Sequence, residues 1–111
     1  MGRTLIQHLT RRQVSMKTYN FHYDAGHGWL EVDVEELKAA GILSQITGYS
    51  YYKGNTAYLE EDVDFDLFAR TVNLQAGQVK EISDGDDSKI RGYKHFPQRF
   101  EESITPHYIR R

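Results

Sequence analysis

Residues 18–34 have the sequence TYNFHYDAGHGWLEVDV, and this stretch decides the fold. TYNFHY (18–23) and WLEVDV (29–34) alternate aromatic or β-favouring residues with polar ones, as strands with one buried face do. DAGHG (24–28) separates them and contains two glycines, which predicts a turn. We therefore expect a β-hairpin in which Asp24 caps the turn and both glycines adopt unusual φ angles.

A short helix is predicted directly after this hairpin. Asp33 stands three residues before Glu36, which is an aspartate variant of the capping box. Val34, Leu37 and Ala40 share one helical face. Gly41 then supplies a stop signal, so we expect a helix of about two turns.

A second helix is predicted downstream, in the segment that begins FDLFARTV. Its apolar residues recur at helical spacing, namely Phe65, Phe68, Ala69 and Val72. We expect Asp62 or Asp64 to cap its start and Gly77 to end it.

The other segments predict four more strands. GYSYY (48–52) and TAYLE (56–60) flank KGN and favour a second hairpin, and QVKEIS (78–83) and SKIRGYKHF (88–96) have strand-like composition. The order β-β-α-β-β-α-β-β predicts an α+β fold: a small antiparallel sheet of hairpins with two helices.

The length of 111 residues suits one domain, which we place at residues 16–96. Residues 1–15 are interpreted as a basic N-terminal appendage, either a disordered tail or an upstream extension with Met16 as the natural start, in preference to a short transit-like segment. Residues 97–111 are interpreted as a polar C-terminal tail. The chain has no cysteine, which excludes disulfide scaffolds and thiolate metal sites within it. No apolar run approaches the ~18–20 residues of a membrane span, so we expect no membrane association and take the cytoplasm as the default location.

Charge is distributed unevenly along the chain. Residues 24–87 contain fourteen acidic and four basic side chains, whereas the segments before and after are both net basic. Two interpretations remain open. The basic ends lie against the acidic body, or the acidic surface meets a basic partner.

One group of residues has weak potential for catalysis. His22 and Asp24 lie on one face of a strand, and the turn could bring His27 towards them. Two imidazoles and a carboxylate are able to bind Zn²⁺ or Fe²⁺ or to transfer protons. The spacing matches no known metal signature, so the structural interpretation of a capped turn with a solvated His27 is preferred.

The sequence does not match other known functional motifs. Asp62, Asp64 and Asp66 resemble the start of a calcium loop, but Leu67 and Asn73 occupy positions where an EF-hand needs Gly and Glu. There is no phosphate-binding glycine loop and no nucleophile elbow. We therefore expect neither a metal nor a cofactor.

An acidic and tyrosine-rich surface is the predicted binding site, because tyrosine and tryptophan are common interface anchors. Its predicted residues are Trp29, Tyr49, Tyr51, Tyr52, Tyr58, Glu60, Glu61 and Asp62. The Tyr-rich hairpin could instead form a stacking platform for single-stranded nucleic acid or nucleotides, together with Trp29, Arg91, Tyr93, Lys94 and Phe96. The acidic body opposes that alternative.

The stretches DAGHGWLEV, GYSYY with AYLEEDVD, and KIRGY together resemble a group of small, uncharacterised proteins of bacteria and their phages. The resemblance covers residues 16 to about 96. It implies a bacterial or mobile-element source and carries no activity, ligand or catalytic residue.

These observations favour a non-enzymatic accessory protein that binds a macromolecular partner, most simply a protein. The alternative is a small metal-dependent or nucleotide-handling enzyme centred on His22, Asp24 and His27. A purely structural subunit is a third possibility, and the sequence leaves the oligomeric state open.

Overall fold

The computed structural model describes residues 17–97, which form six strands and two α-helices. In chain order these are β1 (Tyr19–Tyr23), β2 (Gly28–Asp33), α1 (Val34–Ala39), β3 (Tyr51–Lys53), β4 (Thr56–Glu60), α2 (Asp64–Val72), β5 (Val79–Ser83) and β6 (Lys94–His95). The predicted α+β class and the order of elements are confirmed. The predictions for residues 1–15 and for the tail after Pro97 lie outside the described residues.

All six strands belong to one sheet with the spatial order β5-β1-β2-β4-β3-β6. Neighbouring strands are antiparallel except β1 and β5, which are parallel, with Tyr19 opposite Val79. The sheet is therefore mostly antiparallel, with one parallel pair at an edge. The chain reaches that edge from β4 through α2, and a long helical connection permits a parallel neighbour where a short hairpin turn does not.

One face of the sheet forms the main hydrophobic core against the two helices. Alternation along β2 and β4 places their apolar residues on this face. The buried cluster consists of Leu30, Val32, Val34, Leu37, Ile42, Leu43, Ile46, Ala57, Leu59, Phe68 and Phe96. Val34, Leu37 and Phe68 belong to this cluster, and Ala40 and Phe65 pack against it. Val72, predicted for the apolar face of the second helix, is instead 40% exposed.

The opposite face of the sheet is partly covered by residues 88–93. The strand predicted over 88–96 is wrong in its first half, because Lys89–Gly92 forms a 3-10 helix and only β6 pairs with β3. The Ser88 hydroxyl accepts a hydrogen bond from the Ile90 N–H, a local contact that competes with strand pairing. Ile90 is buried, so this segment packs against the rest of the domain.

Three predicted details of the helix ends are wrong. Helix α2 ends at Val72 and not near Gly77, because Asn73 adopts the left-handed conformation at φ 56° and stops it. Val63 occupies the N-cap of α2, and Asp64 lies inside the first turn. Asp33 does stand at the N-cap of α1, but among the described residues its side chain makes no capping hydrogen bond.

Neither glycine of the first turn has an unusual φ angle, and Gly28 is needed for space. Within residues 17–97, positive φ among glycines occurs at Gly41, Gly54 and Gly85. At Gly28 a Cβ would overlap the ring of Phe21, which lies across it. The expectation of unusual φ at Gly26 and Gly28 is therefore wrong, and close packing explains Gly28.

Candidate functional site

The turn between β1 and β2 is organised by Asp24. Its Oδ1 accepts hydrogen bonds from the N–H groups of Gly26 and His27 at 2.9 and 3.0 Å. The Asp24 N–H in turn donates to the His27 carbonyl at 2.9 Å. The predicted cap of the turn is confirmed, and it makes the start of β2 a fixed platform.

The same carboxylate joins this turn to the distant segment 88–91. Asp24 Oδ2 accepts from the Ser88 N–H at 2.8 Å and from Arg91 Nε at 2.6 Å, and Arg91 Nη2 donates to Oδ1 at 2.9 Å. These hydrogen bonds, with Arg91 first and Ser88 next, hold the pKa of Asp24 well below its usual range. The Asp24 carboxylate likewise raises the pKa of Arg91.

Arg91 thereby lies over an aromatic row on the second face of the sheet. Its guanidinium carbon is 5.4 Å from the centre of the Trp29 ring, within cation–π range. Trp29 meets Tyr51 edge-on at 6.1 Å, and Tyr51 lies 4.5 Å from His95. Side chains from β2, β3 and β6 thus form a continuous aromatic floor that crosses the intervening strand β4.

A buried carboxylate fixes the loop that borders this floor. Asp64 Oδ2 accepts from the Thr47 N–H at 3.0 Å, the Thr47 hydroxyl at 2.8 Å and the Ser50 hydroxyl at 2.5 Å. The Ser50 hydroxyl also accepts from the Glu60 N–H. The Tyr49 N–H bonds to the Thr47 hydroxyl, and its side chain is 72% exposed. Tyr49 is consequently held outward on an anchored loop.

The third wall is acidic and lies where β4 turns into α2. The Glu60 carboxylate accepts the N–H groups of Asp62 and Val63, at 2.8 and 3.0 Å, and so shapes this turn. Asp62 is exposed, and Val63 leaves half of its surface exposed. A carboxylate and an uncovered apolar side chain therefore stand next to each other.

These elements enclose a cleft of about 370 Å³. It is lined by His27, Trp29, Tyr49, Tyr51, Glu60, Asp62, Val63, Arg91 and His95. We call this feature the aromatic cleft. It combines ring surfaces, one apolar side chain and two carboxylates. The guanidinium of Arg91, which forms part of its wall, is already paired with Asp24.

Five of the eight residues predicted for binding line the aromatic cleft: Trp29, Tyr49, Tyr51, Glu60 and Asp62. The predicted binding set omitted the four other lining residues, Val63, Arg91, His95 and His27, the last of which was predicted only as a weak catalytic candidate. Arg91 was considered only as part of a nucleic-acid platform. No local pattern marks Arg91 as part of this site, because its partner Asp24 is 67 positions away in sequence.

The other three predicted binding residues lie elsewhere. Tyr52 packs on the main core on the helix-covered side of the sheet. Tyr58 contacts the ring of Tyr93 at 5.2 Å, and burial first, then the negative charge of Glu31, raises the pKa of Tyr58 to about 12. The Glu61 carboxylate lies 3.4 Å from His27 Nδ1, beside a separate, shallower depression.

The three weak catalytic candidates have different partners. His22 Nε2 lies 2.7 Å from Glu31 Oε1, and His22 Nδ1 lies 3.5 Å from Asp84 Oδ1. Asp24 is committed to the turn and Arg91, and His27 is half exposed beside Glu61. Across residues 17–97, no group of three or more His, Cys, Asp or Glu side chains is arranged to hold a metal ion.

Comparisons with protein-family models, with curated proteins and with solved structures find no match to this chain. In the part of the chain that the structure describes, no helix has the length and apolar character needed to cross a membrane.

Proposed function

We propose that this protein is a small non-enzymatic accessory protein of bacterial or phage origin that binds a basic region of a protein partner through the aromatic cleft. The observation that carries the proposal is the combination, in one cleft, of exposed Tyr49 and Val63 with the carboxylates of Glu60 and Asp62. Ring surface, apolar surface and charge are thereby offered together to a partner.

Exposed apolar surface supports an interface at this position. Four large hydrophobic side chains are exposed among the described residues, and two of them, Tyr49 and Val63, border the cleft. Tyrosine is enriched at the centres of protein interfaces because it offers large contact area with few rotatable bonds. Tyr51 lies on strand β3 and contacts the buried ring of Trp29, so little ordering is required when a partner binds.

Electrostatics favour a basic partner. Residues 24–87 carry ten more acidic than basic side chains, and the positive charge of Arg91 is compensated within the cleft wall by Asp24. A negative surface attracts basic protein segments and accelerates their association. It repels the phosphate backbone of nucleic acid, which is why a protein partner is preferred.

The enzyme alternative has weaker support. In general acid–base catalysis, the acid and the base must both lie within reach of the same substrate. His27 lines the cleft, but Asp24 uses its oxygens for the turn and for Arg91, and His22 contacts Glu31. The proposal therefore includes no catalytic residue, cofactor or metal, and it assigns the protein to the cytoplasm of the bacterial or host cell.

Affinity capture with matched variants tests the proposal. Tagged full-length chain is incubated with bacterial lysate at low and moderate salt, and retained proteins are identified by mass spectrometry. Val63→Ser and Asp62→Asn alter the cleft, while Val72→Ser and Asp86→Asn make the same changes at exposed positions elsewhere. We expect a basic protein to be retained by the wild type and both controls and lost from both cleft variants. Equal retention by cleft and control variants, or no protein above background, would refute the proposal.

A further inference from the structure

We propose that the group received by the aromatic cleft is an arginine side chain of the partner, an inference that rests on the function proposed above. The guanidinium is expected to lie against the rings of Tyr49 and Tyr51 and to pair with the carboxylate of Asp62. Protein partners with lysine at the corresponding position would bind less well.

The molecule already contains one example of this recognition. The Arg91 guanidinium lies over Trp29 and donates two hydrogen bonds to the carboxylate of Asp24. Tyr49, Tyr51 and Asp62 line the cleft and supply the same pair of chemical groups, a ring surface and a carboxylate. Because Asp24 compensates the charge of Arg91, a second guanidinium meets little net repulsion from it.

The two carboxylates of the cleft have different capacities. Both oxygens of Glu60 already accept backbone N–H groups, those of Asp62 and Val63. Asp62 stands exposed at the rim. Its carboxylate is therefore the better partner for an incoming guanidinium, with Glu60 contributing charge and shape.

The walls favour arginine over lysine. A guanidinium is planar, more weakly hydrated than an ammonium group, and able to stack on a ring while donating two parallel hydrogen bonds to a carboxylate. The cleft of about 370 Å³ lies at the low end of the roughly 300–1,000 Å³ range of ligand pockets. This size suits one long side chain better than a folded element of the partner.

Fluorescence of Trp29, the only tryptophan of the chain, provides the measurement. The full-length protein is titrated with three short glycine-rich peptides that differ at one central residue, which is arginine, lysine or citrulline. Citrulline keeps the shape of arginine and removes its charge. We expect a saturable signal with the arginine peptide and an affinity lower by about tenfold or more with the other two. Asp62→Asn and Tyr49→Ser should weaken arginine binding at least about fivefold, and Asp86→Asn should leave it unchanged.

The outcomes separate this inference from the function on which it rests. Equal or tighter binding of the lysine or citrulline peptide overturns the arginine assignment. So does the absence of any saturable signal. In either case, capture of a basic protein that depends on Val63 and Asp62 would still uphold the proposed function, and loss of that dependence would remove both.

Discussion

Arg91 and Trp29 form a cation–π pair, with the guanidinium carbon 5.4 Å from the centre of the indole ring. The same guanidinium is held by Asp24, whose carboxylate also caps the DAGHG turn. The ion pair between the buried Asp24 side chain and the partly exposed Arg91 thus connects the first hairpin, the 3-10 helix and the wall of the aromatic cleft. Substitution of either Asp24 or Arg91 should therefore change the environment of the Trp29 ring.

The Asp24–Arg91 pair is expected to be strongly coupled. Arg91→Met and Asp24→Asn should each lower the melting temperature and shift the Trp29 emission. Arg91→Met leaves the buried Asp24 carboxylate without its guanidinium, and Asp24→Asn removes the charge that holds the partly exposed Arg91 over Trp29. The double variant should lose less than the sum of the two losses. Asp87→Asn is the control, since Asp87 is exposed and 3.9 Å from Arg91. Additive losses would contradict the coupling.

Stability should fall in acid because of Asp24. Its pKa is depressed in the folded state, so the ionised carboxylate contributes its full stabilisation above the unfolded-state pKa of about 4. The contribution then decreases as the pH falls from there towards the much lower folded-state pKa. Urea unfolding from pH 7 down to pH 2 should show a steeper loss for the wild type than for Asp24→Asn. Parallel curves for the two proteins would show that Asp24 is not responsible.

Asp64 should be critical for stability because of its buried hydrogen bonds and not because of its position at the start of α2. Asp64→Asn replaces one carboxylate oxygen, an acceptor, with an NH₂ donor that faces the donor groups of Thr47 and Ser50. Because buried hydrogen bonds are then lost, we expect the free energy of unfolding to fall by about 2–4 kcal/mol. Asp66→Asn, on the same helix but exposed and paired with Arg70, should cost less than about 0.5 kcal/mol. Chemical denaturation measures both, and similar losses would contradict the buried network.

Gly28 should not tolerate even one added methyl group. Gly28→Ala forces the Phe21 ring out of place and should cost about 1–3 kcal/mol. At Gly77 a Cβ meets no atom within 4 Å, so Gly77→Ala should be neutral or slightly stabilising. Thermal unfolding of the two variants compares them directly. Equal melting temperatures would show that the Phe21 ring adapts without cost.

The sequence predicted those parts of the fold whose signals are local. Alternation in residues 18–34 and the helical spacing of Phe65 and Phe68 identified elements that the structure contains. Asp64 was taken for a helix cap because it stands before apolar residues at helical spacing, and this pattern says nothing of Thr47 and Ser50. Its partners are 17 and 14 positions away, and only tertiary packing brings them together.

The candidate site was predicted in part for a similar reason. Aromatic and acidic composition identified Tyr49, Tyr51 and Asp62, which line the cleft. The same composition also placed Tyr52 in the predicted binding set, although Tyr52 does not line the cleft. Adjacent residues of a strand point to opposite faces, so Tyr51 lines the cleft while Tyr52 packs on the main core. The sequence did not show which of the two faces the helices would cover.

Site-specific photo-crosslinking in bacterial cells tests the binding surface most directly. A benzophenone side chain replaces Tyr49, at the edge of the aromatic cleft, or Tyr23, an exposed tyrosine outside it. We expect position 49 to form a discrete adduct through an arginine-containing basic segment, and position 23 to form none. Adducts of equal yield at both positions, or at position 23 alone, would contradict the assignment of the cleft as the interface.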